Sequence, residues 1–320
     1  MLRSFLWIVF LVAASGAQAQ SFPNKPVKIV SPFPTGITPD TAARLVADRL
    51  SKAWGQAVIV EPRPGANGFI AIGAAKKAAA DGYELLLLSN AHLAINPHVF
   101  KSIPYDPQAD FAPVSLIYRA PFFVVLSTSG PYRTIQDLVA AAKADPQKVT
   151  YSTPYIGSPP HLGGAMLAAL TDTKMTAVHY KEGPAIYTGV ANGDISFTVA
   201  TAGSATPLVK AGKLKLFAIA APARLASQPD VPTVAEAGGP AGYAVESWSA
   251  FLAPRGTPPE IVRRIAADMA VALKDAELAE RYRNLGIDPV STTPEATMDV
   301  IRSELRRYGD VVKRAAIQPE

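Results

Sequence analysis

The chain contains no cysteine. Disulfides, thiolate metal sites and a cysteine nucleophile are therefore excluded, and stability has to come from packing. Histidine is scarce as well. His92, His98, His161 and His179 form no H-x-x-x-H pair, no H-E-x-x-H and no His/Cys cluster, so a zinc site has no support. Neither G-x-x-x-x-G-K-[ST] nor G-x-G-x-x-G occurs, which removes the usual warrants for nucleotides. No metal and no cofactor is expected. Charge of one sign is never concentrated: 31 Lys+Arg against 26 Asp+Glu leave a net +5, spread along the chain without the basic block of a nucleic-acid arm. No nucleic-acid partner is expected, and a mild positive balance favours anionic ligands without locating a site.

Long apolar runs are also missing. Phe5 to Ala14 is about ten residues long, too short to span a bilayer core of roughly 30 Å as a helix. With Arg3 before it and Ala17-Gln18-Ala19 after it, this segment reads as a secretory signal peptide over residues 1–19, cleaved near Ala19/Gln20. The mature chain is expected to be exported and soluble. Lipidation is not expected, since no cysteine is present to carry it.

What remains, about 300 residues with 49% hydrophobic content, exceeds the usual size of one core and predicts two domains. β-rich runs at Val27–Ser31, Val58–Glu61, Leu85–Ser89, Phe122–Leu126, Val178–Tyr180, Ile195–Val199 and Leu214–Ile219 alternate with helical patterns. This alternation predicts parallel sheets covered by helices, an α/β fold. Leu85 to Leu88 are apolar on both pleat faces, as in a strand buried between helix layers. Thr257-Pro258-Pro259-Glu260 offers an N-cap and a capping-box glutamate for a helix carrying Ile261, Ile265, Met269 and Leu273. Met298, Ile301, Leu305, Tyr308 and Val312 mark an amphipathic C-terminal helix. Segments near Ser129–Thr134 and Gly238–Gly242 are the expected crossings between domains. They divide the chain into residues 20–127 (first domain), 128–243 (second domain) and 244–320 (return to the first).

The most suggestive loop is Pro32-Phe33-Pro34-Thr35-Gly36-Ile37-Thr38-Pro39-Asp40, between the first strand and a helix carrying Ala42, Leu45, Val46 and Leu50. Thr38 can cap that helix, and Pro39 suits its first turn. Amides at such a start have no intrahelical partner and sit at the positive end of the dipole, so they suit an anionic group. A second loop, Pro62-Arg63-Pro64-Gly65-Ala66-Asn67-Gly68, reads as a tight turn with a solvated or salt-bridged Arg63. In a third, from Ser152 to His161, the hydroxyls of Thr153 and Ser158 either cap the next helix or hold a ligand oxygen. A serine hydrolase is poorly supported: Gly157-Ser158-Pro159-Pro160 lacks the second glycine of a nucleophile elbow. Phe33, Tyr155, Tyr180, Phe197 and Trp248 lie at strand ends or loops that rim a parallel sheet, where they would wall a cleft outside the carboxyl ends of the strands.

Ordered motifs run along the whole mature chain. They include Phe22-Pro23-Asn24-Lys25-Pro26, Pro32 to Gly36 with Asp40, Arg63-Pro64-Gly65-Ala66, Asp81-Gly82-Tyr83 and Ile95-Asn96-Pro97. Tyr105-Asp106-Pro107, Asp110 to Val114, Gly157-Ser158 with His161, Tyr180-Lys181, Asp230 to Gly238 and Leu252 to Pro258 continue them. On these motifs the chain resembles the periplasmic solute-binding proteins of tripartite tricarboxylate transporters, the Bug family. The resemblance implies a two-domain Venus-flytrap fold with two hinge crossings and no catalysis. It further implies a periplasmic location, a monomer, a small-molecule carboxylate ligand and permease subunits as membrane partners. It places the ligand at Phe33, Thr35, Gly36, Ile37, Thr38, Asp40, Ser89, Asn90, Thr153, Tyr155, Ser158, His161, Tyr180, Thr198 and Trp248, held partly by backbone amides and ordered waters. Where the family usually has Pro-Gly-Gly this chain has Thr35-Gly36-Ile37, and Thr198 stands where it has Asp. These departures, with Pro154-Tyr155-Ile156 in place of small residues, point away from amino acids and toward an acid with an apolar or aromatic body. A module docking a sensor kinase is the alternative reading, and a secreted hydrolase a distant third.

Overall fold

The computed structural model describes residues 22–154, 157–180, 183–225, 228–315 and 317–319. The expected leader and its cleavage site, and Tyr155, lie outside these residues.

Two three-layer α/β units share one long strand. In lobe A, β1 (Val27–Ser31) sits between β2 (Val58–Pro62) and β3 (Glu84–Ser89), both parallel to it. β9 (Glu246–Pro254) continues the sheet antiparallel to β3, the first part of β4 (Phe111–Ser127) follows antiparallel to β9, and β10 (Asp288–Pro289) closes the edge. In lobe B, β5 (Thr150–Thr153) lies between β6 (Thr176–His179) and β7 (Phe197–Thr201), all parallel. The second part of β4 then pairs antiparallel with β7 on one side and with β8 (Leu214–Ile219) on the other.

The parallel strands are greasy on both faces because helices cover both faces. In β3, Leu85 and Leu87 point into the core formed with α1 (Thr38–Trp54) and α8 (Pro259–Ala272), while Leu86 and Leu88 point into the core on the opposite face, with α2 (Phe69–Ala75). Each fully buried leucine contributes about 1.5–3 kcal/mol of hydrophobic stabilisation. In lobe B, Phe122, Val124 and Leu126 of β4 meet α4 (Ile135–Ala144) and α5 (Pro159–Leu170), and Phe123 and Val125 meet the layer of α6 (Gly183–Asn192) and α7 (Ala202–Lys210). Gly163 and Gly164 let α5 lie close on its sheet: a β-carbon on Gly164 would be 2.3 Å from the Tyr151 ring.

The chain passes between lobes inside its strands. Pro121 still pairs with Glu246 in sheet A, whereas Phe122 pairs with Thr201 in sheet B. The return occurs at Val245/Glu246, where Val245 accepts from the Phe122 N–H and donates to the Ala220 carbonyl, each at 2.9 Å. Loops at Ser129–Thr134 and Gly238–Gly242 looked like crossings because they are rich in Gly and Pro. The change of pairing partner instead falls inside β4, at Pro121, with the residues on either side still in the ladder.

Two helix readings change. Thr257 does not cap α8: its hydroxyl donates to the Pro254 carbonyl at 2.8 Å, and Pro258 occupies the cap position. α10 (Pro294–Arg314), capped by Thr293, begins in lobe A with Ile301. It ends in lobe B, where Tyr308, Val311 and Val312 pack with Leu162 and Met166, alongside Ala94, Ile95 and Val99.

Candidate functional site

The carboxyl ends of β1, β2 and β3 point the same way, and the three loops that leave them surround a cavity of about 320 Å³. Its walls include Phe33 and Ile37 from the first loop, Pro64, Gly65, Asn67 and Gly68 from the second, and Ser89, His92 and Asn96 from the third, together with Val99, Phe100 and Gly157. Gly157 reaches in from lobe B, and a β-carbon there would be 2.9 Å from Val99. Among the described residues that line it, none is a carboxylate, lysine or arginine. What these described residues offer an anion is neutral donors and a helix terminus.

The first loop is held from within. Ile37 takes the cap position of α1 without a side-chain bond, and Thr38, expected to cap, is the first helical residue. Its amide and that of Asp40 therefore lack intrahelical acceptors. The fully buried Asp40 fixes the turn. Its Oδ2 accepts from the Gly36 N–H at 2.9 Å, and both its oxygens accept from Arg44 at 2.9 and 3.0 Å. The carboxylate shapes the loop and does not face the cavity.

The second loop carries backbone strain. Gly65, Ala66, Asn67 and Gly68 all have positive φ, at 122°, 45°, 50° and 89°. Ala66 and Asn67 in this region cost on the order of 1–3 kcal/mol each, and such strain persists where surrounding contacts enforce it, commonly at ligand sites. Asn96 supports the loop, donating to the Asn67 carbonyl at 3.5 Å. The tight-turn reading of this loop missed its place on the cavity wall.

The third loop begins at Ser89, which lines the cavity. Three residues on, His92 sits in a single turn of π-helix, Ala91–Ile95, and is buried. Its Nδ1 accepts from the Ser89 N–H at 3.3 Å and lies 3.0 Å from the Ser89 hydroxyl. Burial pushes its pKa down to about 4, so the ring is neutral at pH 7. Phe33 packs edge-on to it at 5.4 Å. The signal that could have found His92 is its position just past the carboxyl end of β3.

In lobe B, Ser158 caps α5, accepting from the His161 N–H at 3.3 Å, and its hydroxyl lies 2.8 Å from that of Thr153. His161 Nδ1 accepts from the Gly157 N–H at 3.1 Å, so that nitrogen is not a base for Ser158. Burial, with the neighbouring His179, lowers the His161 pKa to about 4. The His161 ring lies not on the cavity between the lobes but on a groove of lobe B lined by Tyr151, Ala165 and Met175.

Of the expected site residues, Phe33, Ile37 and Ser89 line the cavity, with Thr35, Gly36, Thr38 and Asp40 on the loop that bounds it. Thr153 and Ser158 stand at the facing end of lobe B. The other described residues of that set have partners elsewhere in the fold. Thr198 is buried and donates to the Ser152 carbonyl at 2.9 Å, tying β7 to β5. Tyr180 packs against Gly189 of α6. Asn90 donates to the Glu246 carbonyl at 2.8 Å, bracing the crossing. Trp248 and Phe197, expected on the cleft wall, are both fully buried in the cores, because a central strand with helices on both faces has no wet side.

Comparison with known proteins agrees with this architecture. Residues 42–317 match the model of the tripartite tricarboxylate transporter family receptor. A UPF0065 protein of Bordetella bronchiseptica is 34% identical over 319 residues, covering 99% of this chain and 94% of its own. Among solved structures, R. palustris Rpa4515 with adipate superposes with a TM-score of 0.80 at 33% identity, covering 93% of this chain and all of its own. MatC from Rhodopseudomonas palustris with bound malate superposes with a TM-score of 0.75 at 28% identity, covering 91% and 100%.

Proposed function

Because the chain belongs to the tripartite tricarboxylate transporter receptor family, we propose that it captures a small organic carboxylate between its two lobes and presents it to membrane permease subunits. The observation that carries this reading is the cavity at the carboxyl ends of β1, β2 and β3, closed by Gly157 from the facing lobe and lined by neutral donors and apolar side chains. The amides at the start of α1 offer hydrogen bonds to a carboxylate, aided by the helix dipole. Phe33, Ile37, Val99 and Phe100 suit an aliphatic or aromatic body. Adipate and malate, the acids bound by two relatives, define the size class to test first.

The lobes in this reading are divided at the strand crossings, Pro121/Phe122 and Val245/Glu246. The closed form stabilised by the ligand is what the permease recognises. The chain acts as a monomer in the periplasm after loss of residues 1–19, and it binds its acid without transforming it.

A thermal-shift screen of the mature chain against aliphatic and aromatic mono- and dicarboxylates tests this, followed by calorimetry on the hits. A ligand at 100 times its Kd stabilises by about 2.7 kcal/mol. Tight binding of aspartate or glutamate with none of any dicarboxylate or aromatic acid contradicts the proposed ligand class, and no response to any acid contradicts the function.

A further inference from the structure

The His92 ring has a fixed proton arrangement. A backbone N–H can only donate, so the bond from the Ser89 N–H makes Nδ1 an acceptor. The neutral ring then carries its hydrogen on Nε2. Among the described residues none accepts that hydrogen, although the side chain is more than nine-tenths buried. The Cδ2–Nε2 edge lies against Gly68 on the cavity wall: a β-carbon at Gly68 would be 2.5 Å from both atoms. The ring is pinned on its other sides. Phe33 packs edge-on to it, and the His92 backbone carbonyl accepts from the Tyr105 hydroxyl at 2.6 Å.

The ring lines the cavity, so an acceptor for this hydrogen has to come from whatever fills the cavity. A carboxylate oxygen does so, and an ammonium group does not. We propose that His92 is a ligand-binding residue that donates its Nε2 hydrogen to a carboxylate oxygen of the captured acid, and that it discriminates against ligands presenting a positively charged group at that position. This rests on the carboxylate reading of the cavity given above. It adds a side-chain donor from the third loop to the amides of the first. The donor is neutral, so it orients the acid without contributing a charge, and its role persists across the neutral pH range.

Two measurements on the mature chain test this. The first is calorimetry with succinate, adipate, malate and benzoate on the wild type, His92→Gln and His92→Phe. Glutamine retains an N–H near the place of Nε2, and phenylalanine retains only the ring. Loss of a hydrogen bond to a charged acceptor weakens binding by about ten- to a hundred-fold. That loss is expected in His92→Phe, with substantial recovery in His92→Gln. The second is nitrogen NMR of the wild-type imidazole, which needs no variant to fold. An Nε2–H tautomer at pH 7, whose resonance moves when a bound acid saturates the site, is expected. Wild-type binding that His92→Phe leaves unchanged overturns the assignment while the carboxylate reading stands, as does an Nδ1–H tautomer or a resonance indifferent to saturation. Failure of the wild type to bind any of these acids overturns the carboxylate reading, and the role of His92 falls with it.

Discussion

A β-carbon added at Gly68 would sit 2.5 Å from the imidazole of His92, which makes the strained second loop and the buried ring a single fitted unit. The φ of 89° at Gly68 disfavours a side chain independently of the clash. Gly68→Ala is therefore expected to lower stability by about 2–4 kcal/mol and to weaken acid binding at least about ten-fold through the displaced ring. Denaturant titration and calorimetry measure the two effects separately. Unchanged affinity in a folded variant would show that the ring edge does not shape the site.

The two buried imidazoles set an acid limit. Both His92 and His161 have pKa values near 4 in the folded chain, against an ordinary value of 6.5, mainly through burial. Between these values the unfolded chain binds more protons, so this stability is complete above about pH 6.5, falls as pH drops from 6.5 to about 4, and loses no more below that. Each ring accounts for up to about 3 kcal/mol of that loss. Melting temperatures recorded from pH 7 to pH 4 should decline in the wild type and decline less steeply in His92→Gln. Parallel profiles would remove His92 from the account.

Arg44 holds the first loop through Asp40. Arg44→Ala leaves a buried carboxylate with the Gly36 amide but without its guanidinium. The expected cost is about 1–2 kcal/mol, moderated by the partial exposure of Arg44. Acid binding should weaken several-fold as the loop loosens. Exchange of the Gly36 amide with solvent, followed by NMR, should quicken in the variant, and an unchanged rate would separate the ion pair from the loop.

Gly164 tests packing away from the cavity. A methyl group there meets the Tyr151 ring at 2.3 Å, so Gly164→Ala should destabilise by about 1–3 kcal/mol. Acid binding, measured well below the melting point, should change little.

The layered architecture was legible because its signal is local. Leu85 to Leu88 announce a strand covered on both sides, and Met298 to Val312 announce an amphipathic helix. The first half of β4 was not legible: Pro113 and Pro121 lie within Phe111–Ser127, and proline normally argues against a strand interior. Phe33 and Ser89 line the cavity because both follow or end a parallel strand, whose carboxyl end is a general ligand position. Trp248 could not be separated from them by type alone, since an aromatic residue near a predicted loop serves equally as wall or core. His92 shares that position past the end of β3, but nothing in the sequence shows what its ring does. Its importance comes from a proton location fixed by the Ser89 amide and from a glycine 24 positions earlier, a relation that only the folded chain creates.

The passage of β4 from one lobe to the other within the hydrogen-bonded ladder, with Val245 bonded beside it where the chain returns, has a mechanical consequence. Relative motion of the lobes has to twist a continuous ribbon, while α10 spans both sides beside it. Such a joint behaves as a torsion spring rather than a slack tether: its resting angle is written into the sheet, and a captured acid has to work against its stiffness.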